Sequence, residues 1–312
     1  MKPNARPFLK SKVHRYFRCI EKQIFASLTI AGLFVLIAVQ SCNIINPEEE
    51  VPSYIEIPAF KVTSNYATQG TNSSKITDVW VYAGGAYIGT YELPARFPLL
   101  LAGEKEITFG AGIMANGIAS TRESYPFYRF HTADLNLIPG KVTSLDTISV
   151  DYFPDLQYVW FEDLEKDTSG GGISMDTTAA SQVNILPDSV VVFEGKRSLR
   201  LQVLPSTSYL ECTMVGDGYP LPPGRDVYLE LNYKCNQPFN MGLIARTFSG
   251  DRKVPVIRFN TKPDWNKIYV RLGPYVNANG DAFRFKVYFE MNLESGLSEG
   301  TAYLDNLKLM IN

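Results

Sequence analysis

The chain has 312 residues, a net charge of −2 and 45 % hydrophobic residues, enough for two globular domains behind a targeting segment and too apolar for general disorder. Beyond the first 22 positions its Lys and Arg residues are scattered, which leaves no basic surface and argues against nucleic acid as a partner. With 18 Tyr and 18 Phe set in short runs with Val, Ile and Thr between Gly, Pro and Asn, the composition is that of an all-β protein.

Gln23 to Pro47 carry no charge, and Lys2, Arg6, Lys10, Lys12, Arg15, Arg18 and Lys22 precede them. Positive charge ahead of an apolar stretch holds the N-terminus in the cytoplasm while the following chain is exported. Ile24 to Val39, the most apolar part, is short for a bilayer span and suits a signal segment, with a retained membrane anchor or a core helix as the alternatives. The stretch ends in Val39-Gln40-Ser41-Cys42, which resembles the lipobox of bacterial lipoproteins, although Gln40 departs from its usual small or aliphatic residue. The resemblance implies a signal peptide over 1–41, lipid on Cys42, a tether over 42–53, and an outer-membrane location on the cell-surface or periplasmic side. Glu48-Glu49-Glu50 resembles the acidic export tags of Bacteroidota surface lipoproteins, or is a solvated tether.

Residues 54–154 read as an N-terminal domain of strands: Ile55 to Thr63, Thr77 to Tyr82, Ala86 to Tyr91, Glu106 to Phe109, Tyr128 to Leu137 and Val142 to Val150. Gly84-Gly85 supplies the positive φ of a tight hairpin between the second and third. "VWVYAGGAYIGTYELPARFPLLLAGEKEITFGAG" resembles the PEGA-type β-sandwich modules of bacterial envelope proteins, with Gly89-Thr90, Leu93-Pro94 and Gly103 at the turn positions. Modules of that type are spacers or interaction platforms.

Residues 155–312 form the second domain. Gly195 permits the turn before a strand in which Leu199, Leu201 and Val203 alternate with Arg200 and Gln202. In the last strand Leu304, Leu307, Leu309 and Ile311 break alternation at Asp305-Asn306, as a bulge does, and the first and last strands of the domain are expected to pair. Cys212 and Cys235 share parity with core positions, which leaves one disulfide or two buried thiols open. "VWFEDLE", "VVFEGKRSLRLQV", "PDWNKIYVRL" and "GTAYLDNLKLMIN" occur in an order that resembles carbohydrate-binding modules with a galactose-binding-like jelly-roll fold. This likeness implies a structural calcium between the first and last strands, with Glu162 and Asp305 at the matching positions.

Catalysis has little support. His131 stands without a nucleophile or further ligands, no motif flags a carboxylate pair, and "DTSGGGIS" (167–174) lacks the Lys and helix of a phosphate loop. Sugar recognition needs aromatic platforms and hydroxyl partners, for which Trp160, Tyr209, Tyr219 and Tyr275, with Asn240 and Arg246, are the candidates, Trp160 facing outward and Trp265 serving packing. The expected function is non-catalytic glycan binding by a lipid-anchored envelope protein. A structural lipoprotein that docks an envelope protein partner is the alternative, and a glycosidase a more distant one.

Overall fold

A computed structural model describes residues 27–30, 49–165, 175–177, 186–187 and 190–312. Cys42 and the glycine-rich stretch 167–174 lie outside the described residues. Residues 27–30 are helical, and among the described residues no helix is long and apolar enough to cross a membrane. Pro52 to Asn312 form one compact unit.

Its N-terminal part contains β1 (Ser53–Ile57), β2 (Phe60–Thr63), the short helix α1 (Tyr66–Gln69), β3 (Asp78–Ala83), β4 (Ala86–Glu92), β5 (Ala95–Leu99), β6 (Gly103–Met114), β7 (Arg122–Ser124), β8 (His131–Leu137), β9 (Val142–Ser144) and β10 (Ile148–Asp151). They form sheets ordered β5-β1-β9, β10-β2 and β4-β3-β6-β7, with β8 also on β6, and enclose one core that includes Ile55, Phe97, Phe109 and Phe127. The strand expected over Ile55 to Thr63 is two strands in different sheets. Pro58 lacks the N–H that would continue a ladder, and the partner segment breaks likewise, so that β1 runs parallel to β9 and β2 parallel to β10. β6 is longer than expected because Gly110 and Gly112 extend it where side chains would not fit. A Cβ at Gly110 would stand 2.7 Å from the Phe130 ring, and one at Gly112 2.8 Å from Asp78 Cβ. The Gly84-Gly85 hairpin is present, with φ of 55° and 80°.

The C-terminal part contains β11 (Gln157–Glu162), β12 (Met175–Thr177), β13 (Leu186–Pro187), β14 (Leu199–Val203), β15 (Tyr209–Met214), β16 (Val227–Cys235), β17 (Phe239–Thr247), β18 (Gly250–Phe259), β19 (Lys262–Arg271), α2 (Gly273–Ala278), β20 (Arg284–Asn292) and β21 (Gly300–Ile311). Two sheets face each other, one ordered β13-β14-β21-β16-β19 with β11 on β21, the other β12-β15-β20-β17-β18. The molecule is therefore all-β, as the composition implied. Leu201, Leu231, Leu243, Val287 and Leu304, all fully buried, are among the side chains filling the space between these sheets. Each such side chain contributes about 1.5–3 kcal/mol on leaving water. Cys212 and Cys235 are both buried and free, which selects the thiol alternative over the disulfide.

β11 and β21 pair as expected, and β21 is shared in tandem. β14 pairs with Leu304 and the residues before it, whereas β11 pairs with Leu307 and those after it. The changeover is the bulge foreseen at Asp305-Asn306, where Asn306 has φ 52° and the register against β16 shifts.

β16 is buried on both faces. Leu229 and Leu231 point into the sandwich core, while Tyr228, Glu230 and Asn232 meet the N-terminal part. Glu230, fully enclosed, accepts hydrogen bonds from the hydroxyls of Tyr125 (2.8 Å) and Tyr152 (3.1 Å) and pairs with Lys267 at 2.7 Å. Lys308 Nζ donates to Thr71 O at 2.7 Å, and the Tyr128 and Tyr269 hydroxyls meet at 3.2 Å. Burial alone would raise the Glu230 pKa, but Lys267, Lys308 and the donated hydrogen bonds hold it below the usual carboxylate value. One carboxylate balances one ammonium here. Lys308 is the surplus cation, and burial pushes it down to about 7.

Candidate functional site

The outer face of the sheet β15-β20-β17-β18 brings together polar and aromatic groups from four strands. On β20, Phe285, Val287, Phe289 and Met291 are buried in the core, so Lys286, Tyr288 and Glu290 face out by strand alternation. Tyr209 and Glu211 face out likewise from β15, and Asn240, Gly242 and Ile244 from β17. Registers place Glu211 opposite Glu290, Asn240 opposite Glu290, and Gly242 opposite Tyr288. Gly242 leaves room for the Tyr288 ring, since a Cβ there would lie 2.5 Å from that ring and 2.5 Å from Val254 O.

Directly opposed carboxylates repel one another, and Lys253 from β18 resolves the conflict by pairing with Glu211 and approaching Glu290 at 3.5 Å. Its ammonium stands 4.9 Å from the centre of the Tyr288 ring. Tyr209 donates to Glu211 at 2.5 Å, and Asn240 donates to Glu290 at 3.2 Å. Burial and the two carboxylates push the Tyr288 hydroxyl up to about 12, and burial with Glu211 raises Tyr209 further. Both hydroxyls therefore stay protonated at neutral pH. The result is a ring 1 % exposed beneath the Lys253 side chain, itself 43 % exposed, bordered by two carboxylates, an amide and a second phenol.

Of the residues expected to bind ligand, Tyr209 and Asn240 belong to this face. Arg246 lies further along β17, held by Asp217 at 2.8 Å and Asp251 at 3.1 Å. Trp160 does not face outward: it is 4 % exposed and part of the core. The register shift between Tyr158 and Trp160 inverts the parity of β11, so Phe161 takes the outer position instead. Tyr219 is half-buried against the core and bonded through its backbone to Phe285, and Tyr275 donates to Val256 O at 3.0 Å. Neither joins the face. Trp265 packs on Phe193, and His131 stacks on Phe109, as structural side chains do. Glu211, Lys253, Tyr288 and Glu290 were missed. Alternation in "FRFKVYFEM" marks the outward Lys286, Tyr288 and Glu290, but nothing in sequence shows that three strands converge on them.

Glu162 and Asp305 are both buried, on adjoining strands. Asp305 Oδ2 accepts from the backbone N–H of Phe193 (3.2 Å) and Glu194 (3.3 Å), and Glu162 Oε1 accepts from Leu164 N (3.0 Å). Gly195, at φ 72°, turns that segment tightly over Glu165, which accepts from Lys196 N at 2.8 Å. Asp305 Oδ1 is buried without a hydrogen-bond partner, and burial pushes its carboxyl up to about 7. Among the described residues no group of three or more His, Cys, Asp or Glu side chains is arranged to hold a metal. An ion here would rest on two carboxylates and main-chain carbonyls, a hard-oxygen set of the kind calcium takes.

No protein-family model and no curated protein matches the chain. Solved structures do. The CBM22-1 xylan-binding domain of Paenibacillus barcinonensis Xyn10C is 11 % identical, with a TM-score of 0.35 over 49 % of this chain and 92 % of that one. A xylan-binding domain from CBM 22 is 15 % identical, with a TM-score of 0.37 over 51 % of this chain and 97 % of that one. A structure described under the promiscuous specificity of carbohydrate-binding modules from the β-sandwich superfamily is 15 % identical, with a TM-score of 0.35 over 84 % of this chain and 99 % of that one. These neighbours are carbohydrate-binding modules of β-sandwich fold.

Proposed function

We propose that the protein is a non-catalytic, lipid-anchored envelope protein that binds a glycan on the outer face of β15-β20-β17-β18. The observation that carries this reading is the Tyr288 ring, packed over Gly242 and beneath the Lys253 ammonium and surrounded by Tyr209, Glu211, Asn240 and Glu290. A pyranose offers an apolar face to a ring and hydroxyls to carboxylates, amides and ammonium groups. The sugar takes the place of the Lys253 ammonium over Tyr288, and its hydroxyls bridge Glu211 and Glu290. Asn240→Ala and Glu290→Gln are each expected to weaken glycan affinity by about tenfold or more, as loss of a buried polar partner does, while Lys61→Ala on β2 changes nothing. Titration calorimetry on a glycan retained by an array reads this out, and equal affinity in all four proteins would sink the reading.

Anchoring rests on the basic flank, the apolar stretch and Cys42. Metabolic labelling with a palmitate analogue is expected to mark the wild type and not Cys42→Ser; label on both would oppose it.

Calcium between β11 and β21 is a further part of this reading, supported by the orphaned Asp305 Oδ1 and by the buried Glu162 on the adjoining strand. Calcium at 100 times its dissociation constant stabilises the folded state by about 2.7 kcal/mol. The melting temperature of the wild type is accordingly expected to rise with calcium and fall with chelator, and that of Asp305→Asn to be indifferent. A wild type that ignores both additions has no such site.

A further inference from the structure

A cavity of about 140 Å³ opens where the N-terminal part meets β18 and β19. Four cations line it, Lys75, Arg258, Lys262 and Lys267, and no Asp or Glu does. Two of them are compensated from outside, Lys267 by Glu230 at 2.7 Å and Arg258 by Glu294 at 2.6 Å. Lys75 and Lys262 form no ion pair among the described residues, and both are exposed at the mouth. Lys75 Nζ donates to the Asn266 side chain at 2.5 Å, and Lys75 N donates to the Tyr269 hydroxyl at 3.0 Å, so the segment ahead of β3 is fixed against β19. Burial, and to a lesser extent the positive charge of Lys262, lower the Lys75 pKa.

We propose that this cavity binds a small oxyanion, a carboxylate or a phosphate, between Lys75 and Lys262. An anion there removes the repulsion between the two ammonium groups and meets neutral donors from the asparagines that line the same wall, Asn116, Asn260 and Asn266. Because Lys75 belongs to the N-terminal part and Lys262 to β19, the anion also ties the two parts of the compact unit together. None of the residues assigned to the Tyr288 face lines the cavity, so this site stands or falls independently of the glycan reading.

Calorimetry on the full chain at low ionic strength tests it with three probes: inorganic phosphate, sodium glucuronate and glucose. At least one anion is expected to bind, with affinity falling as sodium chloride is raised and about tenfold or more lower in Lys262→Met and in Lys75→Met. Lys262 is exposed, so its variant keeps the fold even if Lys75→Met loosens Asn266. Binding of glucuronate alone names a uronic acid as the source of the oxyanion, and binding of phosphate alone names free phosphate. Asn240→Ala retains the anion. The proposal is overturned if neither anion binds, if glucose binds equally well, if binding survives both lysine substitutions, or if Asn240→Ala abolishes it.

Discussion

Glu230→Gln lowers the unfolding free energy by about 3–5 kcal/mol, the cost of removing one partner from a buried ion pair. The carboxylate has no access to water, and its loss leaves the Lys267 and Lys308 charges repelling one another, with no other carboxylate paired to either among the described residues. Tyr125 and Tyr152 lose their charged acceptor at the same time. Since these tyrosines come from the N-terminal part and Glu230 from β16, the effect spreads to both cores, and denaturant unfolding of the variant is expected to remain a single transition at lower midpoint. Adding Lys267→Met to Glu230→Gln restores part of the loss, because the stranded cation goes with it. A change below about 1 kcal/mol in Glu230→Gln, within the range of exposed pairs, would show that the network is hydrated rather than sealed.

Lys308→Met has an effect that depends on pH. The folded-state pKa of Lys308 is pushed down to about 7 from 10.5, so between these values the unfolded chain holds a proton that the folded chain has released. Wild-type stability therefore rises with pH across that window, and the cost of burying the charged form is fully present below about pH 7. The charged groups that act on Lys308 are Glu230 and Glu194, which favour its proton, and Lys267, which opposes it; the Tyr152 hydroxyl lies 3.5 Å away. Methionine cannot titrate. The stability of wild type minus that of Lys308→Met is expected to grow by about 1.4 kcal/mol per pH unit from about pH 7 to about pH 9. Taking the difference cancels Cys212 and the buried tyrosines, whose raised pKa values destabilise both proteins alike at higher pH. A difference that stays flat over this range would place the Lys308 pKa at its ordinary value.

Much of the fold was legible because strand alternation and glycine report local geometry. The Gly84-Gly85 hairpin, the Gly195 turn, the pairing of first and last strands and the Asp305-Asn306 bulge all follow from short stretches of chain. Trp160 was misread for a reason of the same local kind: one extra residue in β11 exchanges the faces of everything after it, and nothing in "QYVWFE" announces the bulge. The union of two cores was hidden for a different reason. Tyr228, Glu230 and Asn232 alternate with Leu229 and Leu231 as a solvent-facing row would, and only the tyrosines of a distant segment turn that row into an interface. The candidate face was half legible. Tyr209 and Asn240 were visible as polar or aromatic residues on strands, but their neighbours Lys253 and Tyr288 join them only through the order β15-β20-β17-β18, which is a property of the sheet and not of any one strand.

The claim that this face is where the protein meets a glycan is tested most directly by mapping backbone amide shifts on adding an oligosaccharide selected from an array. Shifts confined to β15, β17, β18 and β20 around Tyr209, Asn240, Lys253 and Tyr288 are the predicted result. Shifts that gather on another surface, or an array that yields no ligand, would contradict the account.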